Sequence, residues 1–169
     1  MNTLIANDHI KLVCTTKQDL PFVIEAENAS ENAQFVTQWT REEHLDTLHD
    51  PDMLHLLVKN EHDETVGYVI IKGLIHQQDN IELARIVVTA KGFGYGKSVL
   101  SLVKKWSFEV HGAHRLWLDV VEDNSRARHV YQSQGFVYEG MLRESIKTGD
   151  CYESLILMSI LAREYEAHK

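Results

Sequence analysis

Thr89-Ala90-Lys91-Gly92-Phe93-Gly94-Tyr95-Gly96-Lys97-Ser98 follows the apolar run Ile86-Val87-Val88 and leads into Val99-Leu100-Ser101-Leu102-Val103, which reads as a helix. Three glycines at alternate positions between a strand and a helix let the backbone turn tightly and aim several N–H groups at one point. The positive end of the helix dipole falls at the same point. Such a loop is a phosphate cradle, and its spacing decides whose phosphate. A P-loop supplies its end with Gly96-Lys97-Ser98, but its first glycine would fall on Lys91. The dinucleotide fingerprint fits Gly92 and Gly94, but its third glycine falls on Lys97. Both also require an early parallel βαβ unit, and here several antiparallel strands come first.

Those strands are legible in the pattern. His9 to Thr15 alternates apolar and polar residues, a first strand. Thr16 or Asp19 then caps a helix to about Ala29, with Pro21 in its first turn. Ser30 to Gln38 reads as loop, and Thr40-Arg41-Glu42-Glu43 is a capping box that opens a helix to about His49. Met53–Val58, Val66–Ile71 and Ile81–Val88 form a meander separated by polar turns. Beyond the loop, a helix from about Gly96 to Val110 buries Val99, Leu102, Val103, Trp106 and Val110. Arg115–Val121 is a strand, Asp123 or Asn124 opens a short helix ending near Gly135, and Phe136–Leu142 pairs with Tyr152–Leu161 around Gly149-Asp150. The expectation is one α/β domain spanning residues 1–169.

With 169 residues, 44% apolar and 25% charged, the chain is an ordinary globular one with a sizeable core. A net charge of −8 argues against nucleic acid as partner and is compatible with a cationic substrate. Cys14 and Cys151 lie far apart, as reduced thiols in the cytoplasm would. No apolar run reaches membrane-spanning length and no signal peptide is evident, so no membrane partner is expected. The histidines lack metal-ligand spacing, and no metal is expected.

The loop resembles [QR]-x-x-G-x-[GA], the acetyl-CoA loop of the GNAT superfamily of N-acetyltransferases, with Lys91, Gly94 and Gly96 at its fixed positions. Lys91 departs from the pattern but keeps the charge. Asn124, Ala127 three residues on, Tyr131 seven on and Gly135-Phe136 look like the second half of the same signature. The resemblance covers the chain from its first strand onward. Gly140-Met141-Leu142-Arg143, Gly149-Asp150-Cys151-Tyr152 and Met158-Ser159 look most like the ribosomal-protein and polyamine acetyltransferase branch. The resemblance implies an α+β fold with a mixed, mostly antiparallel sheet of six or seven strands, flanked by helices and splayed between the fourth and fifth. It implies acetyl-CoA as cosubstrate, held by the main chain of Ile86, Val87 and Val88 and by Lys91, Gly92, Phe93, Gly94, Tyr95, Gly96, Lys97 and Ser98, with Asn124 and Ala127 alongside. It also implies possible pairing of two copies through the C-terminal strands.

The reaction implied is direct attack of an amine on a thioester. A lysine-like amine is mostly protonated near neutral pH, at a cost of about 4–5 kcal/mol, whereas an α-amino group costs about 1 kcal/mol. The first needs a base and the departing thiolate needs a proton. Tyr131 is the expected acid, against the alternative of plain core packing. Asn124 is read both as cofactor contact and as helix N-cap. Glu82 is the candidate base, on a face that alternation leaves ambiguous, with Asp119 and Glu27 as weaker alternatives. Phe35, Val36 and Trp39 fall where the resemblance puts an acceptor wall, though packing is their commoner job. An acyl-CoA-binding module without transfer activity is the alternative, and a nucleotide-binding protein a third. The amine acceptor stays open among peptide N-termini, ribosomal-protein tails, polyamines, aminoglycosides and amino sugars.

Overall fold

The computed structural model describes residues 2–169 and places eight strands in one sheet, in the order β1-β2-β3-β4-β5-β6-β8-β7. These are β1 (Thr3–Ala6), β2 (Ile10–Cys14), β3 (Met53–Asn60), β4 (Thr65–Lys72), β5 (Asn80–Val88), β6 (Arg115–Val121), β7 (Val137–Thr148) and β8 (Cys151–Leu161). The helices are α1 (Leu20–Asn28), α2 (Ser30–Ala33), α3 (Arg41–His49), α4 (Tyr95–Lys105), α5 (Ser125–Ser133) and α6 (Ala162–Ala167). Every neighbouring pair is antiparallel except β5 and β6, which run parallel because α4 crosses between them.

The expected sheet gains one strand. β1, four residues long, pairs with β2 at the sheet edge, and so short an apolar run carries no decisive period. The fourth and fifth strands of the sequence reading are therefore β5 and β6. Ser30–Ala33 forms a helical turn rather than loop. Thr40 caps α3 as expected: its hydroxyl accepts from the Glu43 amide at 3.2 Å and the Glu43 carboxylate accepts from the Thr40 amide at 2.6 Å. Val110 departs from its expected place and is 66% exposed. Residues Trp106–Val110 form a π-helical turn, with the His111 amide donating to the Trp106 carbonyl, and its wider winding breaks the spacing that would bury Val110.

Two cores sandwich the sheet. On one side Val99, Leu100, Leu102 and Val103 of α4 and Trp106 of the π-helical turn pack with Leu116, Leu118 and Val120 of β6. On the other, Val23 and Ala26 of α1 cover Leu57, Tyr68, Ile70 and Val87. The strands lie close at Gly67, where a Cβ would come within 2.3 Å of the Val87 carbonyl oxygen, so no larger residue fits between β4 and β5.

The splay has a local cause. β5 and β6 pair only over Asn80–Glu82 and Arg115–Trp117. Opposite β4 the register of β5 slips just beyond this point, with Ile71 facing Leu83 and Ile70 facing Arg85, so Ala84 is an extra residue. Such a bulge bends its strand and sharpens the twist, turning the rest of β5 away from β6. Six residues of β5 and four of β6 then have one backbone edge without a strand partner.

Candidate active site

A cleft of about 820 Å3 opens where the two strands part. Its floor is β5 from Leu83 to Val88, which includes Ile86, Val87 and Val88 and has no strand partner on its β6 edge. Val87 itself is buried in the α1-side core. Its mouth is the glycine loop. Gly92 and Gly94 have φ of 84° and 75°, values that side chains disfavour, and they turn the chain into α4. Gly96 is different. It is helical, a Cβ there would meet nothing within 4 Å, and it lines the cleft, so a side chain there would have open space around it.

The amides of Gly94, Tyr95, Gly96 and Lys97 are the N-terminal donors of α4 and have no partner among the described residues. Ser98 differs from the expectation of a free donor: its amide donates to the Gly94 carbonyl at 3.2 Å, closing the first turn, and its side chain does not line the cleft. Phe93 also stands outside, 73% exposed, with its ring stacked on Tyr95 at 5.7 Å. Lys91 and Lys97 both line the cleft. Lys91 is not a loose charge, because its Nζ donates to Asn32 Oδ1 at 3.0 Å and thereby ties α2 to the loop. Burial and the Arg126 charge hold its pKa below the usual lysine range.

Asn124 caps α5, its Oδ1 accepting from the Ala127 amide at 3.3 Å, and both residues line the cleft. Capping uses the carbonyl end and leaves the Asn124 amide group to the cleft. One α-helical turn further on, Tyr131 is buried with its ring edge-on to Phe136. Its ring packs in the α4-side core, yet it also lines the cleft, and its hydroxyl has no hydrogen-bond partner among the described residues. Burial and the nearby charge of Asp119 raise its pKa, so the phenol is held neutral.

The opposite face carries the carboxylates. Register settles the ambiguity of Glu82: it lies directly across from Lys72 and Trp117, which puts it on the α1 side with Trp117 and Asp119. Glu82 lines a neighbouring cavity of about 450 Å3 with Asp52, His76 and Trp117, whereas Asp119 lines the main cleft. Neither carboxylate makes an ion pair or hydrogen bond among the described residues. Burial, reinforced by Asp119, raises the pKa of Glu82; burial also raises that of Asp119, against a lowering pull from Arg85.

Glu27 is placed differently. It is 0% exposed and accepts from four groups: the Tyr68 hydroxyl at 2.6 Å, His44 Nε2 at 3.1 Å, the Trp39 amide at 3.1 Å, and the Arg85 guanidinium. A carboxylate so occupied is no base for a substrate. Burial pushes its pKa up, but the bonds from His44 and Tyr68, the Arg85 charge and the Trp39 amide outweigh it and hold it low. His44 Nδ1 continues the chain to His55 Nε2 at 3.1 Å, and the Thr15 hydroxyl closes it on His55 Nδ1 at 2.9 Å. Arg85 lies 4.2 Å from the Trp39 ring centre and lines the cleft, which makes Trp39 a support for Arg85, while Phe35 and Val36 line the cleft wall. Arg85 and Asn32 are the site residues that sequence reasoning missed. Glu27 carried a signal, since Leu20, Val23 and Glu27 follow helical spacing and place a carboxylate on the buried stripe of α1.

A sheet forked by a bulge, a cradle of unpartnered amides at the mouth of the fork, and a free phenol within it define an acyl-CoA-dependent N-acyltransferase. Residues 20–136 match the acetyltransferase (GNAT) family, and the chain belongs to it, as an acetyl-CoA-dependent enzyme that acetylates an amine. It is 26% identical to spermidine N(1)-acetyltransferase of Vibrio cholerae, over 94% of this chain and 96% of that one. It is 27% identical to the enzyme of that name from Escherichia coli K12, over 95% and 90%. The crystal structure of the Vibrio cholerae spermidine N-acetyltransferase in complex with CoA and spermine superposes with a TM-score of 0.85 at 22% identity, covering 95% of this chain and 99% of that one. The expected fold is thereby shown. Among the described residues no three His, Cys, Asp or Glu side chains are grouped to hold a metal ion, and no helix is long and apolar enough to cross a membrane.

Proposed function

We propose that this enzyme acetylates a small cationic primary amine, with polyamines as the acceptor class, by direct attack on the acetyl thioester in a ternary complex. The observation that carries this reading is the pair of chemistries on opposite faces of the fork. The unpartnered Tyr131 hydroxyl reaches the cleft from the α5 side; on the α1 side the unpartnered carboxylate of Asp119 lines the same cleft and that of Glu82 lines the cavity beside it. A carboxylate on that side attracts the ammonium and removes its proton, and Tyr131 protonates the departing thiolate. The names of the two relatives support the acceptor class.

In this proposal the donor lies along β5, its pantetheine amides bonded to the main chain of Ile86, Val87 and Val88. The Gly94–Lys97 amides hold the pyrophosphate, helped by Gly92, Lys91 and Lys97. Asn124 and Ala127 flank the chain, and Phe93, Tyr95 and Ser98 shape the loop. Residues 1–169 act as one domain, in the cytoplasm, where Cys14 and Cys151 stay free thiols. Copies associate through β7, the last strand of the sheet, on which Val137, Tyr138, Met141 and Leu142 are exposed; a dodecameric form of the Vibrio cholerae relative is consistent with this.

Thiol release from acetyl-CoA with spermidine, putrescine, an aminoglycoside and a peptide N-terminus tests the reading. Tyr131→Phe should lower kcat on the order of 10²-fold while the thermal shift caused by acetyl-CoA is retained. Unchanged turnover would remove Tyr131 from the chemistry, and binding without turnover of any amine would favour a binding module.

A further inference from the structure

β5 and β6 carry two unpartnered carboxylates on the α1 side, and their positions along the fork differ. Glu82 sits at the last paired rung of β5 and β6, opposite Trp117. Asp119 lies two residues beyond Trp117 on the same face, about 6–7 Å further toward the open end of the fork. Only Asp119 lines the cleft that also contains Tyr131, the Gly94–Lys97 amides and the free edge of β5; Glu82 lines the adjoining cavity with Asp52. Glu82, Asp119 and Tyr131 therefore form a series running toward the place where the thioester must lie.

Resting on the transferase reading above, we propose that Asp119 takes the proton from the reacting ammonium, while Glu82 binds a second positive charge of the acceptor in the adjoining cavity. Arg85 faces Asp119, with the neutral Tyr131 across the fork; around Glu82 lie Lys72, Asp52, His76 and Arg115, the last paired with Glu139. Arg85 cannot be the proton acceptor, and its charge is balanced by Glu27. Burial lifts both carboxyls toward the range in which they can accept a proton from an amine.

The step balances as follows. One ammonium proton passes to the Asp119 carboxylate, which becomes the acid. The freed nitrogen lone pair forms the N–C bond to the acetyl carbon, and the C–S bond breaks with its electrons leaving on sulfur. Tyr131 gives its proton to that sulfur, and the phenolate recovers one from the nitrogen of the new amide. Asp119 returns its proton to solvent, so the net products are the amide, the free thiol and one proton.

The test uses the full-length enzyme with spermidine, putrescine, butylamine and a weakly basic fluoroalkylamine. Asp119→Asn should lower kcat on the order of 10²-fold or more for the basic amines, and the deficit should shrink for the fluoroalkylamine, which needs no base near neutral pH. Glu82→Gln should raise KM for spermidine and putrescine at least tenfold, leave KM for butylamine unchanged, and alter kcat little. The acetyl-CoA thermal shift should survive in both variants, which separates chemistry from misfolding. A deficit in Asp119→Asn that is the same for every amine, or a kcat loss that follows Glu82→Gln instead, overturns the assignment. A wild-type enzyme that acetylates none of these amines overturns the polyamine-type reading beneath it.

Discussion

Replacing Glu27 by glutamine keeps the shape of the side chain and removes its charge. The carboxylate is 0% exposed and holds four donors from four elements: Trp39 before α3, His44 in α3, Tyr68 in β4 and Arg85 in β5. Glutamine can accept through one oxygen only, so at least one donor loses its partner. The larger effect is on Arg85, whose side chain is 9% exposed and whose cation then lies buried without a counter-charge. Removing one partner of a buried pair costs about 3–5 kcal/mol, because the other charge is left desolvated. For a chain of this size each kcal/mol moves the melting temperature by about 2–4 °C, so Glu27→Gln should melt about 6–20 °C lower. Thermal unfolding by circular dichroism, with urea titration at 25 °C, reads both numbers. Adding Arg85→Met should recover part of the loss, since the pair is then absent rather than broken. A loss below about 1 kcal/mol in the single variant, or a purely additive double variant, would refute the buried-charge account.

Two other predictions follow from the same geometry. Burial, together with His44, holds the pKa of His55 at about 3, below its ordinary 6.5, so between these values the unfolded chain binds the extra proton and stability rises with pH. His55 should therefore cost the fold about 2 kcal/mol between pH 7 and pH 5, and His55→Gln should flatten that part of a pH series of urea midpoints; a wild-type profile already flat there would contradict it. Gly96→Ala should move stability and binding in opposite directions: α4 gains about 0.5–1 kcal/mol of helix propensity, while the added methyl enters the cleft and weakens acetyl-CoA binding. Calorimetric titration showing unchanged affinity would mean that Gly96 does not border the ligand.

What the sequence determined by itself is what the chain encodes locally. The glycine loop, the Asn124-to-Phe136 run, the Thr40-to-Glu43 box and the Gly149-Asp150 turn each depend on residues a few positions apart, and the structure contains the loop, cap or turn expected at each. The apolar runs of β3 to β5, bounded by polar turns, and the one-face pattern of β6 were likewise local signals. Failures came where local signals were too short, as with β1 and α2, or where a π turn broke the helical count and exposed Val110.

Tertiary structure alone decided which distant residues meet. The face of Glu82 depended on its register with Lys72 and Trp117, one residue of slip being enough to reverse it. Lys91 finds Asn32 and Arg85 finds Glu27 across 59 and 58 residues of sequence, contacts that no period records. The fork itself exists because one extra residue, Ala84, bends β5 away from β6. The local sequence could therefore name the donor, whose loop is one continuous stretch, but the opposite wall of the cleft is assembled from β5, β6 and residues 31–37, and folding alone brings those together.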